Sequence, residues 1–233
     1  MKRCTPRAVL GIVVLMAGLV LPAVAQDTRP GIAVLRFTNG GSYGQDKENF
    51  AALERGIPAT LITELSLNPA LRLVERTETQ RLLDEQDLPE SGRVDAATAA
   101  KIGTLVGARY IIAGTFIDYY GKFRVDARIV DVETSEILTV VQAGPKDRQA
   151  LYQLLRDLAR DILKETELPP LPSEVANARA TRAVPTEALT SYSRALLYHD
   201  RGNTPKAVEF YRRAIEAFPD YTAAKEGLRK VRS

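Results

Sequence analysis

Residues 32–50 read IAVLRFTNGGSYGQDKENF, an apolar run, a glycine loop and the start of an amphipathic stretch. Strand, glycine loop and helix is an order in which proteins cradle phosphate, with backbone N–H groups and a helix N-terminus meeting the anion. Here the chemistry is not completed. A P-loop ends its glycine frame in Gly-Lys-Ser/Thr. The glycines are Gly40, Gly41 and Gly44, with Gln45-Asp46 behind them, and neither that frame nor GxGxxG is met. Tyr43 inserts bulk into the loop, and Asp46 and Glu48 bring negative charge to the first helical turn. Those carboxylates complement the helix dipole and repel an anion. The expectation is a turn entering a capped helix, with ligand or partner contact by its small residues as the second reading.

The remaining reactive side chains are equally dispersed. His199 is the only histidine, and one imidazole without cysteines cannot build the usual zinc ligand set. It reads as a surface residue near a helix C-terminus, beside Asp200. Asp84 and Glu85 are sequence neighbours on a helix and point apart. Asp157 and Asp161 share a face with Arg156 and Arg160 interspersed, the pattern of a solvated, charge-balanced helix. Ser42 and Ser135 fall in turns with no histidine within reach, so a hydrolase triad is unsupported. Lys225, Arg229, Lys230 and Arg232 sit at a helix C-terminus, where cations are favoured. The expectation is a non-enzymatic protein with no catalytic residue, no metal and no cofactor.

Composition must be read without the first 25 residues. Lys2, Arg3 and Arg7 precede an apolar run from Ala8 to Leu21, then Pro22 and the small residues Ala23-Val24-Ala25. That is the layout of a secretory signal peptide cleaved between Ala25 and Gln26. The alternative, an uncleaved anchor, has an apolar run short of the roughly 20 residues of a bilayer span. The whole chain has 32 Lys+Arg against 29 Asp+Glu. Removing the segment takes away three bases and no acid, leaving 29 against 29 in 208 residues. The basic excess is therefore no sign of nucleic-acid binding. The segment also holds both methionines and the only cysteine. Cys4 precedes the apolar run, so it cannot become a lipidated N-terminus. The mature chain is thus read as unlipidated and free of thiol chemistry. Its location is read as periplasmic, with association with the outer membrane as a second reading and no transmembrane segment in the mature chain.

The elements that would carry these residues follow from periodicity. Residues 31–37 read as a buried strand. Phe50, Leu53, Ile57, Leu61 and Leu65 step by three and four along a helix from Asp46 to about Leu67. Leu71–Glu75 is a second strand. Thr77 to Gln80 fits a capping box for a helix running to about Gln86. Asp95 opens another helix that stops at Gly107. Three strands follow, Tyr110–Tyr119, Lys122–Val132 and Glu136–Gln142, joined by hairpin-length turns. Gly144-Pro145 is expected to end the sheet, with a helix over Lys146–Glu165. Pro169, Pro170 and Pro172 open a connector to about Pro185. The fold class expected is α/β (α+β), a mixed five-stranded sheet packed with helices, followed by a small all-α hairpin. The domains are 26–168, a linker at 169–185, and 186–233.

From Ala188 the 34-residue spacing of a tetratricopeptide repeat (TPR) can be laid down. Ala195, Tyr198, Gly202, Ala207, Tyr211, Ala214 and Pro219 take its small, aromatic, turn and stop positions. Ser191 stands where a large apolar residue is usual. A third helix, Thr222–Val231, would cap the unit. One repeat cannot bury its own face, so it must pack on the preceding domain, pair with another copy or receive a partner.

The stretches IAVLRFTN, LITELSLNPALRLVERTETQRLLDEQDL, AAKIGTLVGARYIIAGTF and FRVDARIVDVETSEIL, taken in order, resemble the CsgG family of curli secretion components, with TolB-like N-terminal domains close in kind. The resemblance spans about residues 31–165. It implies a protein that acts by binding and assembly, with other envelope proteins as partners and self-association as a second mode. It also raises a curli-type secretion channel as the alternative. Pore-forming members extend their core by long membrane hairpins. A membrane strand needs about 9–11 residues, and the strands here are used up in the core sheet.

Overall fold

The computed structural model describes residues 27–42, 47–85, 94–180 and 182–232. The signal segment, with Ala25, Gln26 and Cys4, lies outside them, as do Tyr43 to Asp46 of the glycine loop. The first strand, β1 (Gly31–Asn39), is apolar on both sides because both of its sides are covered. Ile32 and Val34 point into one core, Ala33 and Leu35 into the other. That is the pattern of a central strand in a parallel arrangement sandwiched by helices.

The chain continues through α1 (Lys47–Ser66), β2 (Arg72–Leu73), α2 (Arg76–Glu85) and α3 (Ala96–Val106). It then runs through β3 (Tyr110–Tyr119), β4 (Lys122–Asp131) and β5 (Glu136–Asp147). The helices α4 (Leu151–Glu165), α5 (Ser173–Ala180), α6 (Thr186–Asp200), α7 (Thr204–Ala217) and α8 (Thr222–Arg232) complete it. The sheet order is β2-β1-β3-β4-β5. β1 pairs in parallel with β2 and β3, and β3, β4 and β5 form an antiparallel meander. The fold is the expected α/β class with a C-terminal helical region.

On one face, α1 and α4 bury Leu53, Ile57, Leu61, Leu154, Leu155 and Leu158 against Phe116, Phe123, Val125, Ala127 and Ile129. The strict alternation of β4 delivers its four inward residues to this face, each fully buried. On the other face, α2 and α3 cover β1 and the start of β3 through Leu83, Ile102 and Val106. Asp95 caps α3 by accepting from the Thr98 amide, and Gly107 closes it at φ 64°, a left-handed cap that suits glycine.

Four local expectations need correction. The second strand pairs only at Arg72–Leu73. The capping box at Thr77 does not form. The helix starts at Arg76, and the Glu75 carbonyl accepts from the Glu78 and Thr79 amides. Gln80 accepts from Arg36 at 3.5 Å. Gly144-Pro145 does not end the sheet. β5 is an edge strand, where a proline costs no ladder bond on its open side, so it runs on to Asp147. The next helix therefore begins at Leu151, after a 3-10 turn at Arg148–Ala150, and not at Lys146. Finally, the Pro-rich connector contains α5, held by a buried Arg179 described below.

Candidate functional site

The residues singled out by spacing in the C-terminal hairpin are brought together. Ala195, Ala207 and Ala214 are fully buried, Tyr211 is nearly so, and Tyr198 stacks on Phe210 with ring centroids 5.5 Å apart. Gly202 makes the α6–α7 turn at φ 69°. Pro219 follows the extended residue Phe218 that ends α7, and it is exposed. Ser191, in place of the large apolar residue, is buried.

The hairpin is seated on α1. A Cβ placed on Gly56 would stand 1.8 Å from the Ser193 hydroxyl, so only glycine lets α1 and α6 approach this closely. Ser193 turns its hydroxyl onto the Leu189 carbonyl at 2.7 Å and stays satisfied although fully buried. Polar contacts flank the crossing. Arg55 and Arg76 both donate to the Asp200 carboxylate at 2.9 Å, Arg76 through two nitrogens. Tyr198 donates to Glu48 at 2.5 Å, and Arg194 donates to Asn49 at 2.6 Å. Burial alone would raise the Asp200 carboxyl, but hydrogen bonds and charge from Arg76 and Arg55 outweigh it and hold it below the usual range. Glu48 is thus one of three acceptors, with Asn49 and Asp200, that hold the hairpin on α1 and α2.

A second tie lies deeper. Glu64 on α1 is 1% exposed and accepts from the Tyr152 hydroxyl at 2.6 Å. It also pairs with Arg179 of α5, which is buried with it. Burial, then the Glu64 contact, pushes the Tyr152 hydroxyl well up. One carboxylate therefore joins α1, α4 and the connector helix. Sequence reasoning missed Glu64, Arg179 and the Arg55–Arg76–Asp200 set, because their partners are 88 to 145 residues apart in several cases. The only local signal was a glutamate on an otherwise apolar helix face.

Between α1, the β2–α2 corner, α6 and α8 lies a cleft of about 510 Å³. Ile62, Leu196 and Tyr192 give it an apolar floor, and Arg76, Glu226 and Lys230 stand on its walls. Burial pushes the Tyr192 hydroxyl up to about 12, so it stays protonated. Lys230 spans the rim to Glu75 at 3.3 Å. His199 lines the same cleft, with its Nδ1 3.5 Å from the Tyr211 hydroxyl.

The described part of the glycine loop, Gly40 to Ser42, has spent its amides. The Asn39 side-chain oxygen takes the Gly41 and Ser42 amides at 3.2 and 2.8 Å, and Ser42 Oγ accepts from the Asp118 amide at 2.9 Å. Asp157 meets Lys146 at 2.6 Å and Arg160 at 3.2 Å, and Arg160 also meets Asp161. Glu85 pairs with Arg81. Among the described residues, no group of three or more His, Cys, Asp or Glu is placed to hold a metal ion. No described helix is long and apolar enough to cross a membrane.

Residues 20–124 match the family model of the curli production assembly/transport component CsgG. The match runs from ahead of β1 into β4 and supports a CsgG-like domain. No curated protein matches the chain. Solved structures with some likeness include the LpoB C-terminal domain from Salmonella enterica, at 18% identity over 49% of this chain and 80% of that one, TM-score 0.35. Escherichia coli LpoB gives 14% identity, 61% and 81% coverage and 0.37. TolB from Acinetobacter baumannii gives 16%, 70% and 31%, and 0.35. Likeness at that level bears on neither partner nor activity.

Proposed function

We propose that this chain is an exported, non-enzymatic accessory protein of the cell envelope. It docks other envelope proteins through the CsgG-like domain and the hairpin seated on it. The observation carrying this reading is the CsgG match over residues 20–124, the first part of the α/β domain, combined with the cleft between that domain and α6–α8. The hairpin acts as a single TPR-like unit, and α1 supplies the neighbouring helix that a second repeat would otherwise provide. The cleft mixes apolar floor and charged rim, which suits a peptide segment better than a reacting small molecule.

The test is site-specific photocrosslinking in the native envelope. A photoreactive residue at Thr63 or Ala223, in the cleft, should give discrete adducts with a recurring partner. The same residue at Glu209, on the outer side of α7, should not. Equal labelling at all three positions would remove the cleft from the reading. The alternative of a curli-type channel component has its own measurement. Stable single-channel currents from purified protein in planar bilayers would favour it over docking.

A further inference from the structure

Two side chains lining the cleft between α1, α6 and α8 have no partner of their own. The first is Tyr192, which is only 7% exposed. Its ring packs against those of Tyr221 and Tyr211, with centroids 5.0 and 6.1 Å away. Among the described residues its hydroxyl makes no hydrogen bond. A hydroxyl buried to this degree normally has a partner, because leaving the bond unmade forfeits its hydration. Burial keeps the phenol protonated, so it has a proton to offer toward the cleft that Tyr192 lines.

The second is Glu226, found by going through the charges on the cleft walls one at a time. Arg76 is held by Asp200, and Lys230 reaches Glu75 across the rim. Arg182 donates to the Asp220 carbonyl at 3.3 Å and lies over the Phe218 ring, 5.7 Å from its centroid. His199 faces the Tyr211 hydroxyl. Glu226 has neither an ion pair nor a hydrogen bond among the described residues. It lies within electrostatic reach of Tyr192.

The two groups call for opposite partners. A buried O–H needs an acceptor oxygen, and a lone carboxylate pairs best with a cation that donates to it. A peptide segment bearing Lys or Arg supplies both, the acceptor being a backbone carbonyl. That carbonyl selects the conformation. A helix uses its interior carbonyls in its own ladder, whereas an extended segment leaves them free. Successive side chains of an extended segment also point to opposite sides, so an apolar residue can meet Ile62 and Leu196 on the floor while the basic one turns to the wall. Building on the docking reading above, we propose that the cleft takes an extended, Lys- or Arg-bearing segment of a partner protein. The basic side chain pairs with Glu226, a backbone carbonyl accepts from Tyr192, and an apolar side chain rests on the floor.

The test is selection of a phage library of random octapeptides on residues 26–233, with the affinities of the enriched peptides then measured on variants. Ala223→Trp fills the cleft. Glu226 is exposed and Ala223 partly so, and circular dichroism checks the fold of each variant. Enriched peptides should contain Lys or Arg beside an apolar residue and should lose binding to Ala223→Trp. Glu226→Gln should weaken them about tenfold and Tyr192→Phe about fivefold, the ranges for a charged and a neutral hydrogen bond. Selection on Glu226→Lys should turn the preference to Asp or Glu. Binders that need the open cleft but show no basic preference, or that ignore Glu226→Gln, would overturn this inference and leave the docking reading standing. Binders indifferent to Ala223→Trp would remove the cleft and both readings with it. Absence of enrichment would overturn the inference, with the Thr63 crosslinks deciding the docking reading separately. Self-association of the parent chain that Ala223→Trp abolishes would make a second copy the occupant and overturn the assignment to a partner.

Discussion

At Gly56 a single hydrogen atom decides whether two helices can meet. Replacing it by alanine drives a methyl into Ser193, and overpacking of this kind costs about 1–3 kcal/mol. The urea midpoint of Gly56→Ala should fall accordingly. Adding Ser193→Gly should recover part of the loss, which a simple helix-propensity effect could not do. The buried pair of Glu64 and Arg179 makes the same point with charge. Arg179→Ala strands a carboxylate that is 1% exposed, and such orphaning costs about 3–5 kcal/mol. The triple change Glu64→Leu, Arg179→Met and Tyr152→Phe removes all three polar partners together. It should be far milder than the single change, as read by chemical denaturation.

Asp200 sits at the end of α6 and draws α1 and α2 to it. Its folded-state carboxyl is held below its ordinary value, net of burial, by Arg76 and Arg55. A depressed carboxylate contributes stability that is present above the unfolded value, about 3.9, and is lost as pH falls through the folded one. The stability gap between the parent chain and Asp200→Asn should therefore be constant from pH 7 to about 5. It should then close toward pH 2. A gap independent of pH across that range would show that the carboxylate charge is not what holds the hairpin. The same elements explain why α2 begins at Arg76. Starting there places its guanidinium opposite Asp200, at the expense of the box that Thr77 and Gln80 would have formed.

The whole chain should behave as one cooperative body despite its linker. Glu64 and Arg179 tie the connector helix to the core, and Gly56 admits α6 onto α1. Calorimetry on residues 26–233 should show a single transition whose van't Hoff and calorimetric enthalpies agree, as two-state unfolding requires. Two separated peaks would mean that hairpin and sheet are energetically independent. Deleting residues 169–233 should uncover the α6-facing side of α1 and increase binding of a hydrophobic dye, since contiguous exposed apolar surface is otherwise rare.

Local pattern was enough for β1, β3, β4 and most helices. The alternation of Phe123, Val125, Ala127 and Ile129 defines a sheet with one packed face, and the steps from Phe50 to Leu65 define α1. Asp95 and Gly107 announce the ends of α3. Such signals work because a strand repeats every two residues and a helix every 3.6, so burial writes itself into the order of side chains. The same pattern could not place β5 at the edge, where a proline is tolerated, nor show that α5 would fold inside a Pro-rich connector. It could say that the C-terminal hairpin needed a cover, but not that α1 would be that cover. Those outcomes rest on contacts between residues far apart in the chain, such as Gly56 with Ser193 and Glu64 with Arg179. Their energy depends on distance in space and leaves no period in the sequence.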